Sequence, residues 1–160
     1  MSQSRCYLHQ ISVSHGGVPK LPVIEARITP EGVIGDRQQN RDIHGGVDRA
    51  VCVFSLEVIE ALQAEEHTIK PGSSGENLTI AGLEWSQLKP GDRLRIGEHV
   101  LLEIRSYTSP CKYNAQWFVG GDFSRISQKL HPGWSRVYAR VLEAGVVRAG
   151  DSVSVEANQV

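Results

Sequence analysis

The chain has 160 residues, the length of one domain (1–160), and folding at that size hides about 70% of the surface the unfolded chain exposes. A hydrophobic share of 40%, a charged share of 22% and a formal net charge of −1 exclude a general nucleic-acid or membrane-surface binder, so ligand preference must come from local charge. Three cysteines cannot pair completely, which fits a reducing compartment. Cys6 and Cys52 lie in apolar runs, Cys6-Tyr7-Leu8 and Ala50-Val51-Cys52-Val53-Phe54, and read as small core hydrophobes. With no apolar run near eighteen residues and no basic-then-apolar leader, the expectation is a soluble cytoplasmic protein.

In chain order, Tyr7, His9, Ile11 and Val13 alternate and predict a first strand with those side chains on one face. Pro19 to Pro22 reads as a connector. Ile24, Ala26 and Ile28 give a second strand that ends in the turn Pro30-Glu31-Gly32. The segment Gly35 to Arg49 is too polar for the core and reads as a working loop. Ala50 to Phe54 predicts a buried strand, and Ser55 caps a helix from Leu56 to Glu66 with Val58, Ile59 and Leu62 as its buried stripe. Strands follow over 76–80, 93–96 and 99–105, the last two joined by a tight turn at Gly97-Glu98. Asp122 predicts the cap of a short helix bearing Phe123, Ile126 and Leu130. Val137, Ala139 and Val141 alternate as a strand, and a last hairpin runs through Ala149-Gly150-Asp151 into Val153 and Val155. Many short strands and two short helices predict a mainly β chain with short helices (α+β), in a closed or nearly closed β-barrel.

Candidate chemistry centres on Thr108-Ser109-Pro110-Cys111-Lys112-Tyr113-Asn114. Pro110 cannot donate to a sheet ladder, so the strand before it stops and Cys111 sits at a strand end. Lys112 and the polar neighbours Thr108, Ser109 and Asn114 offer a setting for thiolate, the form that attacks electrophiles or binds a soft metal. The alternative is a free surface cysteine. Gly35-Asp36-Arg37-Gln38 and His44-Gly45-Gly46-Val47-Asp48-Arg49 outline an anion cradle: Gly45 and Gly46 allow close backbone approach, and Arg37 and Arg49 supply donors that never deprotonate. A solvated glycine-rich loop with a satisfied Asp-Arg pair is the plainer reading. Asn77 offers a donor and an acceptor suited to a heterocycle edge, or simply ties down a turn. His131 and Trp134 either line a site or fill a loop. No Cys-x-x-Cys, His-Glu-x-x-His or phosphate-loop spacing occurs. Cys111 with His44 as a nucleophile–base pair stays open.

Gly35-Asp36-Arg37-Gln38, His44-Gly45-Gly46 with Arg49-Ala50-Val51, Gly75-Glu76-Asn77-Leu78-Thr79, Pro90-Gly91-Asp92, Pro110-Cys111, and Trp134 with Ala139-Arg140-Val141-Leu142 occur in that order. Together they resemble the MOSC domain family, named after the C-terminal domain of molybdenum cofactor sulfurase. The resemblance implies a pyruvate-kinase-barrel-like β-barrel and a bound pyranopterin molybdenum cofactor. It also implies that Cys111 either ligates molybdenum or carries sulfur. Arg37, Arg49, His44, Gly45, Gly46 and Lys112 would then meet the cofactor's phosphate and charge, and Asn77 its heterocycle. A metal already held by two dithiolene sulfurs suits a third thiolate. Relatives of this type reduce N-hydroxylated compounds with electrons from a partner reductase. The resemblance extends neither to the additional N-terminal barrel domain of the mitochondrial amidoxime-reducing component nor to the helical extension of one bacterial subgroup, and electron supply stays unassigned. Two other readings remain: a persulfide or cofactor carrier that meets a cofactor-sulfurating enzyme, and a binder of a phosphorylated ligand without chemistry.

Overall fold

The computed structural model describes residues 5–36 and 46–156. Its strands are β1 (Tyr7–Val13), β2 (Leu21–Val23), β3 (Glu25–Thr29), β4 (Gly32–Val33), β5 (Val51–Ser55), β6 (Leu78–Ala81), β7 (Arg93–Ile96), β8 (Val100–Tyr107), β9 (Val137–Glu143), β10 (Gly145–Arg148) and β11 (Val153–Glu156). One α-helix, α1 (Leu56–Ala64), and several 3-10 turns complete the described elements. The protein is mainly β with few short helices, as its alternating runs predict.

An eight-stranded sheet runs β11-β7-β8-β9-β5-β6-β1-β2, beside a three-stranded sheet β10-β3-β4. Of the closed or nearly closed barrel expected, full closure is not formed among the described residues. On one edge β1 pairs with β6, and on the other β2 takes up residues 11–13. Only the start of β1 is left for a closing strand. It meets the approach to β11 through a lone bridge, Tyr7 with Ser152, and three backbone hydrogen bonds, Leu8 N to Asp151 O, Gly150 N to Leu8 O and Val153 N to Cys6 O.

Three further expectations change for local reasons. The register of β1 against β6 shifts between Leu8 and Gln10, and such a bulge moves the inward face by one residue. Leu8 and Ile11 are therefore the fully buried pair, while His9 is exposed. Pro19 to Pro22 is more than a connector, since β2 begins at Leu21 and pairs antiparallel with β1. The turn at Gly150 joins strands of different sheets: β10 pairs with β3 and β11 with β7.

The helix expected after Asp122 is a single 3-10 turn, Phe123–Ile126. Gly120 and Gly121 enter it at φ 66 and 72, and the Asp122 carboxylate accepts from the Ser124 hydroxyl instead of a backbone N–H. By contrast α1 forms as expected. Ser55 Oγ accepts from Val58 N at 3.1 Å, and Ile59 and Leu62 are fully buried. The helix carries the chain between β5 and β6, the one parallel pair of the described ladders, a connection that needs a crossover rather than a hairpin. Phe54, Leu78, Ile80, Leu102 and Ile104, all fully buried, belong to one apolar core.

Candidate functional site

The β8 strand hands over to a loop where Thr108 N donates to Arg136 O at 2.9 Å and Pro110 offers no N–H. Cys111 follows, partly exposed, and opens the 3-10 turn Lys112–Trp117. Its carbonyl accepts from Asn114 N at 2.9 Å. Among the described residues its Sγ has no hydrogen-bond partner. The exposed Lys112 ammonium lies 5.6 Å from the ring centroid of its neighbour Tyr113.

Two buried side chains clamp this loop to the turn at Ser74. Arg136, 4% exposed, donates from Nη1 to Ser74 O at 2.8 Å and from Nη2 to Ser109 O at 3.1 Å. Asn114, 1% exposed, donates from Nδ2 to the same Ser74 carbonyl at 3.1 Å. Among the described residues Arg136 Nε and Asn114 Oδ1 are buried without a hydrogen-bond partner. The Ser74 turn is itself fixed by Gly72, whose φ is 87 and where a Cβ would run into the Lys20 carbonyl. Gly72 N donates to Glu76 Oε2 at 3.0 Å, Thr79 Oγ1 donates to the same oxygen at 3.1 Å, and Ser74 Oγ donates to Oε1 at 3.0 Å.

Burial pushes the Glu76 carboxyl above its ordinary range, opposed by the Gly72 N–H and by Arg136. Burial likewise raises the Cys52 thiol, opposed by Arg136 and Lys20, and that sulfur lies 3.9 Å from the Thr108 hydroxyl. The Tyr138 phenol is pushed up by burial first and by Cys52 next, with Arg136 and Arg49 opposing and Cys111 reinforcing. The Arg49 guanidinium carbon is 5.5 Å from the Tyr138 ring centroid.

A second polar cluster sits at Asp36. Its Oδ2 accepts from Lys20 Nζ at 2.8 Å and from Asn77 Nδ2 at 2.9 Å, and its Oδ1 from Ser14 N at 2.9 Å. Asn77 is fully buried: Oδ1 accepts from Cys52 N at 3.1 Å and Nδ2 also donates to Ser12 O at 3.3 Å. Both Asn77 donors are thus committed inside the fold, which leaves none for a heterocycle edge and matches its alternative as a tie. Among the described residues the ion-pair partner of Asp36 is Lys20.

Of the other sequence candidates, Arg37, His44 and Gly45 lie outside the described residues. Gly46, exposed at φ 98, starts the 3-10 turn Val47–Arg49 that carries Arg49. Trp134 is stacked by the Arg125 guanidinium at 3.9 Å, and Arg125 forms a two-toothed pair with Glu65, so packing accounts for Trp134. Sequence reasoning passed over Arg136. Its signal was a charge on the opposite face of the strand from Val137, Ala139 and Val141.

Among the described residues no three His, Cys, Asp or Glu side chains converge as a metal site, and no helix is long and apolar enough to cross a membrane. The profile described as MOSC domain matches residues 40–154. The chain belongs to the MOSC domain family. As a MOSC domain it is 34% identical over 143 residues to the uncharacterized protein YflK of Bacillus subtilis, covering 87% of this chain and 62% of that protein. It is 30% identical over 129 residues to a protein named reductase from Gibberella moniliformis, covering 78% of this chain and 22% of that one. The crystal structure of YiiM from Geobacillus stearothermophilus superposes with a TM-score of 0.75 at 22% identity, covering 97% of this chain and 77% of that chain. The MOSC chain thus spans less than two thirds of the YflK and reductase sequences.

Proposed function

We propose that this MOSC domain binds the pyranopterin molybdenum cofactor with Cys111 as a metal ligand, and that it serves as an oxidoreductase toward N-hydroxylated compounds. The observation that carries the reading is the Cys111 thiol: partly exposed, without a hydrogen-bond partner among the described residues, and on a loop that the buried Arg136 holds through Ser109 O. The donor set fits such a group. A lone thiolate suits a sulfur-favouring metal that brings its other sulfur ligands with it, and guanidinium groups suit a phosphate.

When bound, the cofactor would supply two-electron chemistry that removes the N-hydroxyl oxygen as water. The chain's part is to hold and shape. Cys111 would hold the metal from the loop that follows β8, Asn114 and Arg136 hold that loop to the Ser74 turn, and Arg49 presents positive charge beside Tyr138. Arg37, His44, Gly45 and Gly46 would add donors for the phosphate, with Lys112 on the outer rim of the loop. Electrons would come from a partner reductase in the cytoplasm. The 30% identity to a protein named reductase favours this class.

Metal analysis of protein made in a cofactor-competent host tests the reading. Molybdenum bound by the native chain and lost in Cys111→Ala is the expected result, with loss of hydroxylamine reduction by an artificial donor. Equal molybdenum in both removes the ligand role. A labile sulfur on Cys111 without molybdenum would instead make the chain a sulfur carrier for a cofactor-sulfurating enzyme. Phosphorylated-ligand binding that survives Cys111→Ala but not Arg49→Ala would make it a binder without chemistry.

A further inference from the structure

The turn Pro71-Gly72-Ser73-Ser74-Gly75 has the composition of a flexible surface loop, yet Gly72, Ser73 and Ser74 are buried. A loop taken out of water has to match its backbone and hydroxyl groups inside the fold. At Ser74 the partners lie in two directions. Its hydroxyl donates to Glu76 Oε1 at 3.0 Å. Its carbonyl accepts from Arg136 Nη1 at 2.8 Å and from Asn114 Nδ2 at 3.1 Å, and two donors use both lone pairs of a carbonyl oxygen.

The hydroxyl side is an anchor. Glu76, fully buried, also accepts from Gly72 N at 3.0 Å and from Thr79 Oγ1 at 3.1 Å, and Thr79 is fixed in β6 opposite Gln10 of β1 and Phe54 of β5. The carbonyl side reaches the loop. Arg136 Nη2 donates to Ser109 O at 3.1 Å, two residues before Cys111, and Asn114 N donates to Cys111 O at 2.9 Å from three residues after it. Thr108 is tied separately, its N–H donating to Arg136 O and its carbonyl accepting from Ser135 Oγ. Beyond Thr108, both flanks of Cys111 are therefore held by side chains that meet at one oxygen, Ser74 O. The sulfur itself has no hydrogen-bond partner among the described residues. A working group is placed by the atoms that support it, and here those atoms lead back to the buried turn.

We propose that Ser74 is a positioning residue for Cys111: its hydroxyl fastens the turn to Glu76, and its carbonyl, through Arg136 and Asn114, sets the place of the Cys111 backbone. The inference rests on the proposed function in taking Cys111 as the working sulfur, but it needs no molybdenum.

The test compares Ser74→Ala with Thr79→Ala in cofactor-free protein. Each deletes one hydroxyl donor to Glu76, and only the first lies between Glu76 and Cys111. Exchange of the Asn114 amide hydrogen, which closes on the Cys111 carbonyl, should quicken about fivefold in Ser74→Ala, the local opening that one lost hydrogen bond allows. In Thr79→Ala it should stay near native. The pH profile of iodoacetamide alkylation at Cys111, followed apart from Cys6 and Cys52 by peptide mass spectrometry, should likewise shift in Ser74→Ala alone. A profile that stays native in folded Ser74→Ala, or shifts as much in Thr79→Ala, makes Ser74 a residue of the fold only and overturns the proposal.

Should Ser74→Ala not fold, the native chain decides. The amide hydrogens of Gly72, bonded to Glu76, and of Asn114 should open together, with the same protection and the same response to urea. An Asn114 amide that opens well ahead of Gly72 separates the loop from the turn, and the proposal fails. Because neither assay holds metal, a chain that never binds molybdenum leaves the outcome intact, and the two claims fail separately.

Discussion

The two polar clusters of this MOSC domain are built from similar parts and finished differently. At Asp36 both carboxylate oxygens, the Lys20 ammonium and both N–H groups of Asn77 find partners inside the fold. At Cys111 a buried guanidinium and a buried amide each keep one polar atom unmatched, and the thiol has no partner among the described residues. Native proteins satisfy nearly all buried polar groups. The first cluster is therefore explained by folding alone, while the second is the one to which the proposed function assigns a ligand.

Breaking the saturated cluster should have the largest effect. Asp36→Ala leaves the Lys20 ammonium, 6% exposed, with no counter-charge, a change worth about 3–5 kcal/mol when a buried pair loses one member. Urea unfolding measures it directly. Replacing both residues, Lys20→Met with Asp36→Leu, should recover much of that loss, because no lone charge remains. A small effect of Asp36→Ala would mean that the pair is not what ties β1 to the start of the polar segment.

The two asparagines sharpen the contrast. Asn77→Ala strips the buried Cys52 N–H of its acceptor and Asp36 of a donor, for an expected loss of about 2–3 kcal/mol. Asn114→Ala removes one donor from a Ser74 carbonyl that keeps Arg136, and deletes an unmatched oxygen besides. Its cost should be nearer 1 kcal/mol. Thermal unfolding of the two variants side by side ranks them, and the reverse order would contradict the assignment of one cluster to folding and the other to function.

Glu76 extends the comparison to pH. Its folded carboxyl is raised by burial, so the folded state binds a proton that the unfolded chain, titrating near about 4.3, releases sooner. Its contribution to stability is full below the unfolded value and is lost as pH rises through the raised folded one. Relative to Glu76→Gln, the native chain should therefore lose stability on going upward from the ordinary carboxyl range. Denaturant midpoints across that range should converge at the acid end and part above it. Parallel curves would mean that the hydrogen bonds from Gly72, Ser74 and Thr79 balance burial, and a native chain that gains stability as pH rises would mean that they outweigh it.

What could be read from the sequence was what depends on neighbours in the chain. The Ser55 cap, the turn between β7 and β8, the alternation of β9 and the buried Cys52 all follow from local pattern and agree with the structure. The inward face of β1 did not, because the bulge near Leu8 is set by pairing with β6. Nor did the separation of β10 from β11 into different sheets, which depends on β3 and β7 far earlier in the chain. At the site, Cys111 was legible as a cysteine after a strand-ending proline. Arg136 was not, since its meaning lies in carbonyls contributed by residues 74 and 109.

The smallest expected effect is the one on which the functional half of the comparison turns. Cys111→Ala removes a partly exposed side chain whose sulfur bonds to nothing described, so its stability should stay within about 0.5 kcal/mol of native, as for surface sites without special contacts. Cys52→Ala is the internal control, since that sulfur is 4% exposed and packed against Thr108, and its loss should be visibly larger. Unfolding curves of the two variants under reducing conditions supply the measurement. A drop of roughly 2 kcal/mol or more for Cys111→Ala, the scale of a core truncation, would mark it as part of the fold, and its loop would then be as fully spoken for as the Asp36 cluster. A near-zero change leaves the backbone clamp of Arg136 and Asn114 to hold the loop unaided, with the sulfur free for chemistry.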